Sequence, residues 1–507
     1  MTDSLTVTGG ATGILARAAD MRATADVLDA KGDVARELAL RVAAVAGHEA
    51  VLGSLLLSPA TGARVLAEVA EVQLPPEGLA WVALEYEAAA TFLRGAATAY
   101  ETTDAALAGL AELRDTAVGV LLVNGAVAVG ITAFVHHALP DDVADALTPD
   151  VFDEWLDAVG EDPQGTVLGA LYDHPWATDS IVSGLPWVLG VQVPLVLNAA
   201  TPWWFTLPTV VPSYEQVVAG IVAGGGLLGM FADGDPVVTP EPPDPAYPDE
   251  ESRQAALDAT AADSVSSLFD NISGLGDGDG SEVRVTAVPT GTGSYSWVVE
   301  IPGTQDWSPH SGTNPSSLAA NLHLMSGSHG TAMQEGVVEA IEQAMSTLSE
   351  QTGIPVEELR AGPVTLAGHS QGGIVAASIA ADPSHGLNVT TVVTGGSPVA
   401  NTAVPDHVSV LSIEHTQDPV HNLDGNPNPA GPNWTTVTRD VDGHTRVPDG
   451  DPAGAHSGSL YAETGALVDE QAATDPALAM ALEDLQQQFA HADDATVFQY
   501  DITQEHR

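Results

Sequence analysis

The chain has 507 residues, no cysteine, and a formal net charge of -54 from 68 acidic and only 14 basic residues. That length allows two or three domains with sizeable cores. The missing cysteine excludes a disulfide framework, a zinc–thiolate site and a cysteine nucleophile. A surface this acidic argues against nucleic acid and anionic membrane as partners and reads as a solvated coat.

From the N-terminus, Met1-Thr2-Asp3-Ser4 has no basic segment and no apolar run follows it, so no secretory signal peptide is expected. Residues 11 to about 54 are alanine-rich, with apolar positions such as Leu28, Leu38 and Val42 spaced as on an amphipathic helix. Ser58-Pro59-Ala60-Thr61-Gly62 breaks the pattern, a shorter helix runs through Val72, and Leu74-Pro75-Pro76-Glu77-Gly78 ends it. A further helix is expected from Leu79 to Leu113, so residues 1–115 read as a helical hairpin or bundle. Near its end, Tyr100 and Asp104 stand four residues apart, on one helix face. This Y-x-x-x-[DE] after paired helices resembles the WXG/ESX proteins of actinobacterial type VII secretion, although no Trp-x-Gly stands at the turn. The resemblance implies that Tyr100 and Asp104 are an export signal. It also implies that the secretion machinery or a helical protein is a partner, with a secreted or envelope location; a cytoplasmic one is the alternative.

Residues 116–232 form an apolar, glycine-rich connector, read as helical. Thr116 to Val135 carries no charge and is long enough to span a bilayer, and apolar stretches recur at Ile181–Ala200 and Val217–Phe231. No Lys or Arg occurs between Arg114 and Arg253, so no basic flank fixes a topology. Burial within protein is therefore preferred over membrane association of residues 116–231. His136-His137 reads as a helix end and not as a metal pair, because adjacent helical side chains diverge.

Residues 233–262, with Pro236, Pro240, Pro243, Pro245 and Pro248 among acids, read as a proline-rich linker. From 263 to 507 the pattern is that of an α/β domain. Ser264–Ile272 is a short helix. Asp277 to Glu282 carries carboxylates at alternate positions but lacks the rest of a calcium loop, so it reads as a turn before a strand. Val283–Val288 and Ser296–Ile301 are strands, and Gly330–Thr352 is a helix with Val337, Ile341, Met345 and Leu348 on one side. Strands at Pro363–Ala367, Val389–Val393 and Val408–Ile413 follow, with a helix at Ile374–Ala380, and the alternation predicts a mostly parallel sheet.

Between strand and helix stands Gly368-His369-Ser370-Gln371-Gly372, a G-x-S-x-G turn that exposes a serine nucleophile. Its tight turn demands small neighbours, which Gly368, Gly372 and Gly373 supply. The strand Val408–Ile413 leads to Asp418, at the same sheet edge and stiffened by Pro419, which makes Asp418 the candidate acid. The base is expected from a later loop. The candidates are His421, His444, His456, His491 and His506; His456, in the small-residue loop Gly454–Tyr461, is preferred, with His444 next. Serine, histidine and aspartate in these positions point to acyl transfer. Backbone N–H groups of Gln371 and Thr304, with Gln305 next, are the expected oxyanion donors. No metal or cofactor is needed.

Together with Val299-x-Ile301-Pro302-Gly303-Thr304, these motifs make residues 282–470 similar to lipases and esterases of the α/β-hydrolase superfamily, PE-PPE-type hydrolase domains included. The resemblance implies a serine hydrolase of carboxylic, lipid-like esters, with 306–329 (Trp307, Leu322, Leu324, Met325) as a lid or acyl-chain wall. The alternative is a secreted helical interaction protein with a degenerate hydrolase domain.

Overall fold

The computed structural model describes residues 5–9 and 18–46, scattered positions within 48–94 and 178–186, and most of the chain from 211 onward save 242–245, 277–279, 292, 448–450 and 507. The chain divides into two compact units, residues 14–113 and residues 1–13 with 114–507. In the first, helix α1 (Ala18–Ala46) buries Ala25, Ala35 and Ala39. Arg94 there bridges Asp26 and Asp29 at 2.7 and 2.6 Å. Tyr100, Asp104, His136, His137 and the run 116–135 lie outside the described residues. Among the described residues no helix is long and apolar enough to cross a membrane.

The second unit holds a nine-stranded sheet in the order β1-β8-β7-β6-β5-β4-β3-β9-β2. Its strands are β1 (Leu5–Gly9), β2 (Asp235–Pro240), β3 (Ser281–Pro289), β4 (Tyr295–Ile301), β5 (Val364–His369), β6 (Val389–Gly395), β7 (Ser409–His415), β8 (Trp434–Arg439) and β9 (Thr496–Glu505). Strands β4 to β8 are parallel, and the other four pairings are antiparallel. The expected mostly parallel sheet is therefore a mixed one. The short turn between β3 and β4 forces a hairpin, since a parallel crossover needs a dozen residues or more.

Two expected boundaries are corrected. Residues 5–9 are not part of the helical region: Leu5-Thr6-Val7-Thr8 alternates with period two, pairs with β8, and packs Leu5 and Val7 on a sheet-face core. The helices of 14–113 thus interrupt the sheet unit in sequence. Nor is 233–262 a linker. Its 235–240 segment pairs with β9 at the sheet edge, where proline costs no interior ladder bond. Residues 250–258 form a helix, capped by the Asp249 side chain on the Ser252 N–H.

The longer helices of this unit are α2 (Tyr214–Gly226), α3 (Glu250–Asp258), α4 (Val265–Gly274), α5 (Leu318–Met325), α6 (Ala332–Thr352), α7 (Gln371–Ala381) and α8 (Gly458–Ala472). Successive strand residues face opposite ways, so each central strand feeds two cores. Leu366, Val392 and Val410 join Val337, Ile341 and Met345 of α6 and Ile374 and Val375 of α7 on one face. Ala367, Val393 and Leu411 join Leu268 and Phe269 of α4 and Tyr461 and Val468 of α8 on the other. The parallel strands therefore end in buried layers on both sides, and the loops after β4, β5, β6, β7 and β8 gather at one sheet edge.

Candidate active site

Ser370 sits where β5 turns into α7, with φ 54 and ψ -119. Among the described non-glycine residues only Phe231 shares a positive φ. Such a conformation costs on the order of 1–3 kcal/mol and persists only where the surroundings over-determine it. Here they do. A Cβ on Gly368 would run into the Gly372 backbone, and one on Gly372 into the Ile301 carbonyl. The Ser370 N–H is held by the Gly395 carbonyl at 2.8 Å.

Asp418 follows β7 and is fully buried. Its Oδ2 meets His456 Nδ1 at 2.7 Å, and its Oδ1 accepts the Val420 N–H at 2.9 Å. His456 ends a helical turn over Pro452–Ala455, and its side chain is 19% exposed. His369, next to Ser370, places its Nε2 2.9 Å from the His456 carbonyl, with the two rings 4.6 Å apart. The fold thus brings Ser370, Asp418 and His456 to one sheet edge. The other histidines go elsewhere. His444 meets Glu463 at 3.3 Å, His421 meets Glu414 at 3.8 Å, and His506 meets the Gly312 carbonyl at 3.0 Å. His491 opens a short turn before β9.

Burial alone would raise the Asp418 carboxyl, but His456, His421 and the Tyr461 hydroxyl together hold it well below the ordinary carboxylate range. Ionised Asp418 requires the proton of His456 to sit on Nδ1, which leaves Nε2 as an acceptor. Burial, with His456 adjacent, pushes His369 down to about 3, so its ring is neutral and its Nε2–H donates to the His456 carbonyl.

The segment after β4 runs beside Ser370: a Cβ on Gly303 would lie 3.3 Å from Ser370 Cβ. The Gln305 N–H is already given to the Ser316 carbonyl at 2.8 Å, which removes Gln305 as an oxyanion donor. Thr304 is anchored through its hydroxyl, which accepts from Asn321 Nδ2 at 2.8 Å. Gln371 opens α7, where the first N–H groups lack intrahelical partners. Its side chain donates to the Ser317 carbonyl at 2.7 Å, tying the elbow to the start of α5.

A mostly apolar cavity of about 260 Å³ opens over Ser370. Trp307, Leu322 and Met325 of the expected lid line it, whereas Leu324 turns into the sheet core. The rest of the wall comes from Val182 and Leu185 and from Val217, Val218 and Ile221 of α2. A larger groove of about 710 Å³ runs along the outer side of α6, past Glu335, Glu339 and Glu342, and shares no residue with it.

Sequence reasoning missed Tyr461 and His415. Tyr461 Oη donates to Asp418 Oδ2 at 2.7 Å. His415 stacks on that ring at 3.9 Å and holds the Ala455 carbonyl at 2.7 Å through Nδ1. The available signal was slight: a tyrosine five residues after His456, one helical turn into α8.

Comparison with known families places the middle of this domain. Residues 317–429 match the family described as PGAP1-like alpha/beta domain, a span that covers the elbow and Asp418 and stops before His456. No curated protein matches, and no solved structure does. Over these residues the chain is similar to an α/β-hydrolase-type domain, consistent with a hydrolase.

Proposed function

We propose that this protein is a serine hydrolase of carboxylic esters with apolar, lipid-like acyl groups. The observation that carries the reading is the 2.7 Å His456–Asp418 bond at the sheet edge where Ser370 is held at φ 54 under an apolar cavity. His456 Nε2 takes the proton of Ser370 Oγ as the oxygen attacks the ester carbonyl. The tetrahedral oxyanion meets the N–H groups of Gln371 and Thr304. His456 then protonates the leaving alcohol, and a water activated by the same nitrogen releases the acid from the acyl-enzyme. Asp418 stabilises the imidazolium without itself taking a proton.

Export through Tyr100 and Asp104 rests on the sequence resemblance alone; retention of Tyr100→Ala inside the producing cells would support it, and normal export would dismiss it. The reading of an interaction protein with a degenerate hydrolase domain requires that no ester be turned over.

The test is turnover of p-nitrophenyl esters of rising chain length by the wild type and by Ser370→Ala. Ser370-dependent turnover that favours medium or long chains is expected. Equal activity in the folded Ser370→Ala protein removes the assignment, and a preference for acetate removes the lipid-like part of it.

A further inference from the structure

We propose that Tyr461 is a positioning residue of this site, its hydroxyl fixing the carboxylate through which His456 is oriented. The inference rests on the reading of Ser370, His456 and Asp418 given above. Asp418 Oδ2 receives two donors at 2.7 Å, His456 Nδ1 and Tyr461 Oη, while Oδ1 receives the Val420 N–H. Three donors from three segments leave the carboxylate no free rotation. Because Asp418 is fully buried, no bulk water stands ready to replace a lost donor.

Tyr461 is itself aimed. The His415 N–H donates to its oxygen at 3.3 Å, which turns the phenolic proton toward Asp418. Its ring stacks on His415, whose Nδ1 bonds the carbonyl of Ala455, the residue before His456. The ring also lies 5.2 Å from His369, which holds the His456 carbonyl. One phenol thus links the acid, the base-bearing loop and the elbow.

Among the described residues, the charged and titratable groups around this pair are His369 on β5, Glu414 and His415 on β7, His421 beyond it, and Arg439 on β8. His421 faces Glu414, and burial keeps His369 and His415 neutral. Asp418 is therefore the charge that His456 meets directly, and the Tyr461 proton tempers it. Removing that proton strengthens the field on His456, so the general base becomes easier to protonate.

In Tyr461→Phe, kcat/KM for a p-nitrophenyl ester should fall about tenfold, chiefly in kcat. The acid limb of its pH profile should move up by about half a pH unit. Site-specific 3-fluorotyrosine at 461, a stronger donor of nearly the same shape, should move that limb down. A core tyrosine whose hydroxyl merely finds a partner predicts neither shift. Limbs unmoved in both proteins, with kcat/KM within twofold of wild type, would overturn the proposal. The low-field NMR proton of the His456–Asp418 bond reads the same contact without substrate. It should move on each substitution, and an unmoved signal counts against Tyr461. Should Tyr461→Phe fail to fold, the fluorotyrosine protein carries the test. Wild type that lacks Ser370-dependent turnover would overturn the underlying assignment, and Tyr461's catalytic part with it.

Discussion

Below the cavity, Asp418, His456, Tyr461 and His415 are joined by hydrogen bonds of 2.7 Å and by a ring stack of 3.9 Å. Above it, α2 offers Val217, Val218 and Ile221, and just past its end Leu227 and Leu228 are 90% and 74% exposed. The floor is directional: hydrogen bonds set angles as well as distances, which proton transfer demands. The cover is non-directional, because apolar surface rewards area removed from water and is tolerant of where a methyl group lies. A hydrolase for apolar esters needs both, in separate places. Substitutions in the floor should therefore be expensive per atom changed, and substitutions in the cover should be cheap and should depend on the substrate.

The sharpest break is Asp418→Asn. It preserves shape but lets the side chain donate, so His456 loses its preferred tautomer; kcat should fall roughly 10⁴-fold, and stability at neutral pH should fall too, because the donors that hold the buried carboxylate ionised are left facing a neutral amide. Retained activity would mean that the carboxylate is not the orienting group. Next is Gly396→Ala. Gly396 has φ +59, and a Cβ there would stand 2.7 Å from Asp418 Oδ2 and 2.8 Å from Tyr461 Oη. A loss of about a hundredfold in kcat/KM is expected from the displaced acid, with about 2 kcal/mol of stability, both readable by ester assay and urea titration. A harmless substitution would show the floor to be more forgiving than its bonds suggest.

His415 sharpens the comparison through pH. Burial holds it at about 4, against an ordinary value of 6.5. The folded state thus prefers the neutral ring, and its contribution is full above pH 6.5 and lost as pH falls from 6.5 toward 4. His415→Gln should cost about 2 kcal/mol at pH 7.5. The deficit should then shrink by about 1.4 kcal/mol per pH unit below 6.5. Unfolding curves of the two proteins between pH 5 and 8 measure it, and a constant deficit would contradict a buried neutral histidine. The smallest effect belongs to the cover. Leu227→Ser with Leu228→Ser should change stability by no more than about 0.5 kcal/mol, since both side chains are exposed. Soluble short-chain esters should turn over as before, while emulsified long-chain esters should slow a few-fold. Equal slowing of both would show that α2 shapes the floor instead of meeting the lipid.

How much of this was readable beforehand follows from how narrow each demand was. The elbow was legible because its backbone leaves room only for glycine at 368 and 372, and sterics of that kind are written directly in residue type. The parallel strands β4 to β7 were legible as short apolar runs buried on both faces, but β8 was not: Trp434-Thr435-Thr436-Val437-Thr438-Arg439 is mostly polar in type and is buried only by its place beside β7. The edge strands were not. In β2, Pro236 and Pro240 look like linker residues until β9 supplies a partner, and that partner lies more than 250 residues away. In β9, Phe498, Tyr500 and Ile502 alternate with polar residues, but the partners that this period-two run needs, β2 and β3, lie more than 200 residues away. Asp418 and His456 followed from chain order and loop position. Tyr461 did not, because an aromatic residue on a helix reads as core, and its hydroxyl finds a role only once β7 brings Asp418 beneath it.

Whether Ser370 is the nucleophile is read from the site of covalent modification. The folded wild type is treated with a long-chain fluorophosphonate in micelles, digested, and the adduct located by mass spectrometry. One adduct per chain is expected, on the peptide containing Ser370, formed more slowly while excess ester substrate is present and absent in Ser370→Ala. An adduct on another serine, or none on a folded wild type with micelles present, would contradict it.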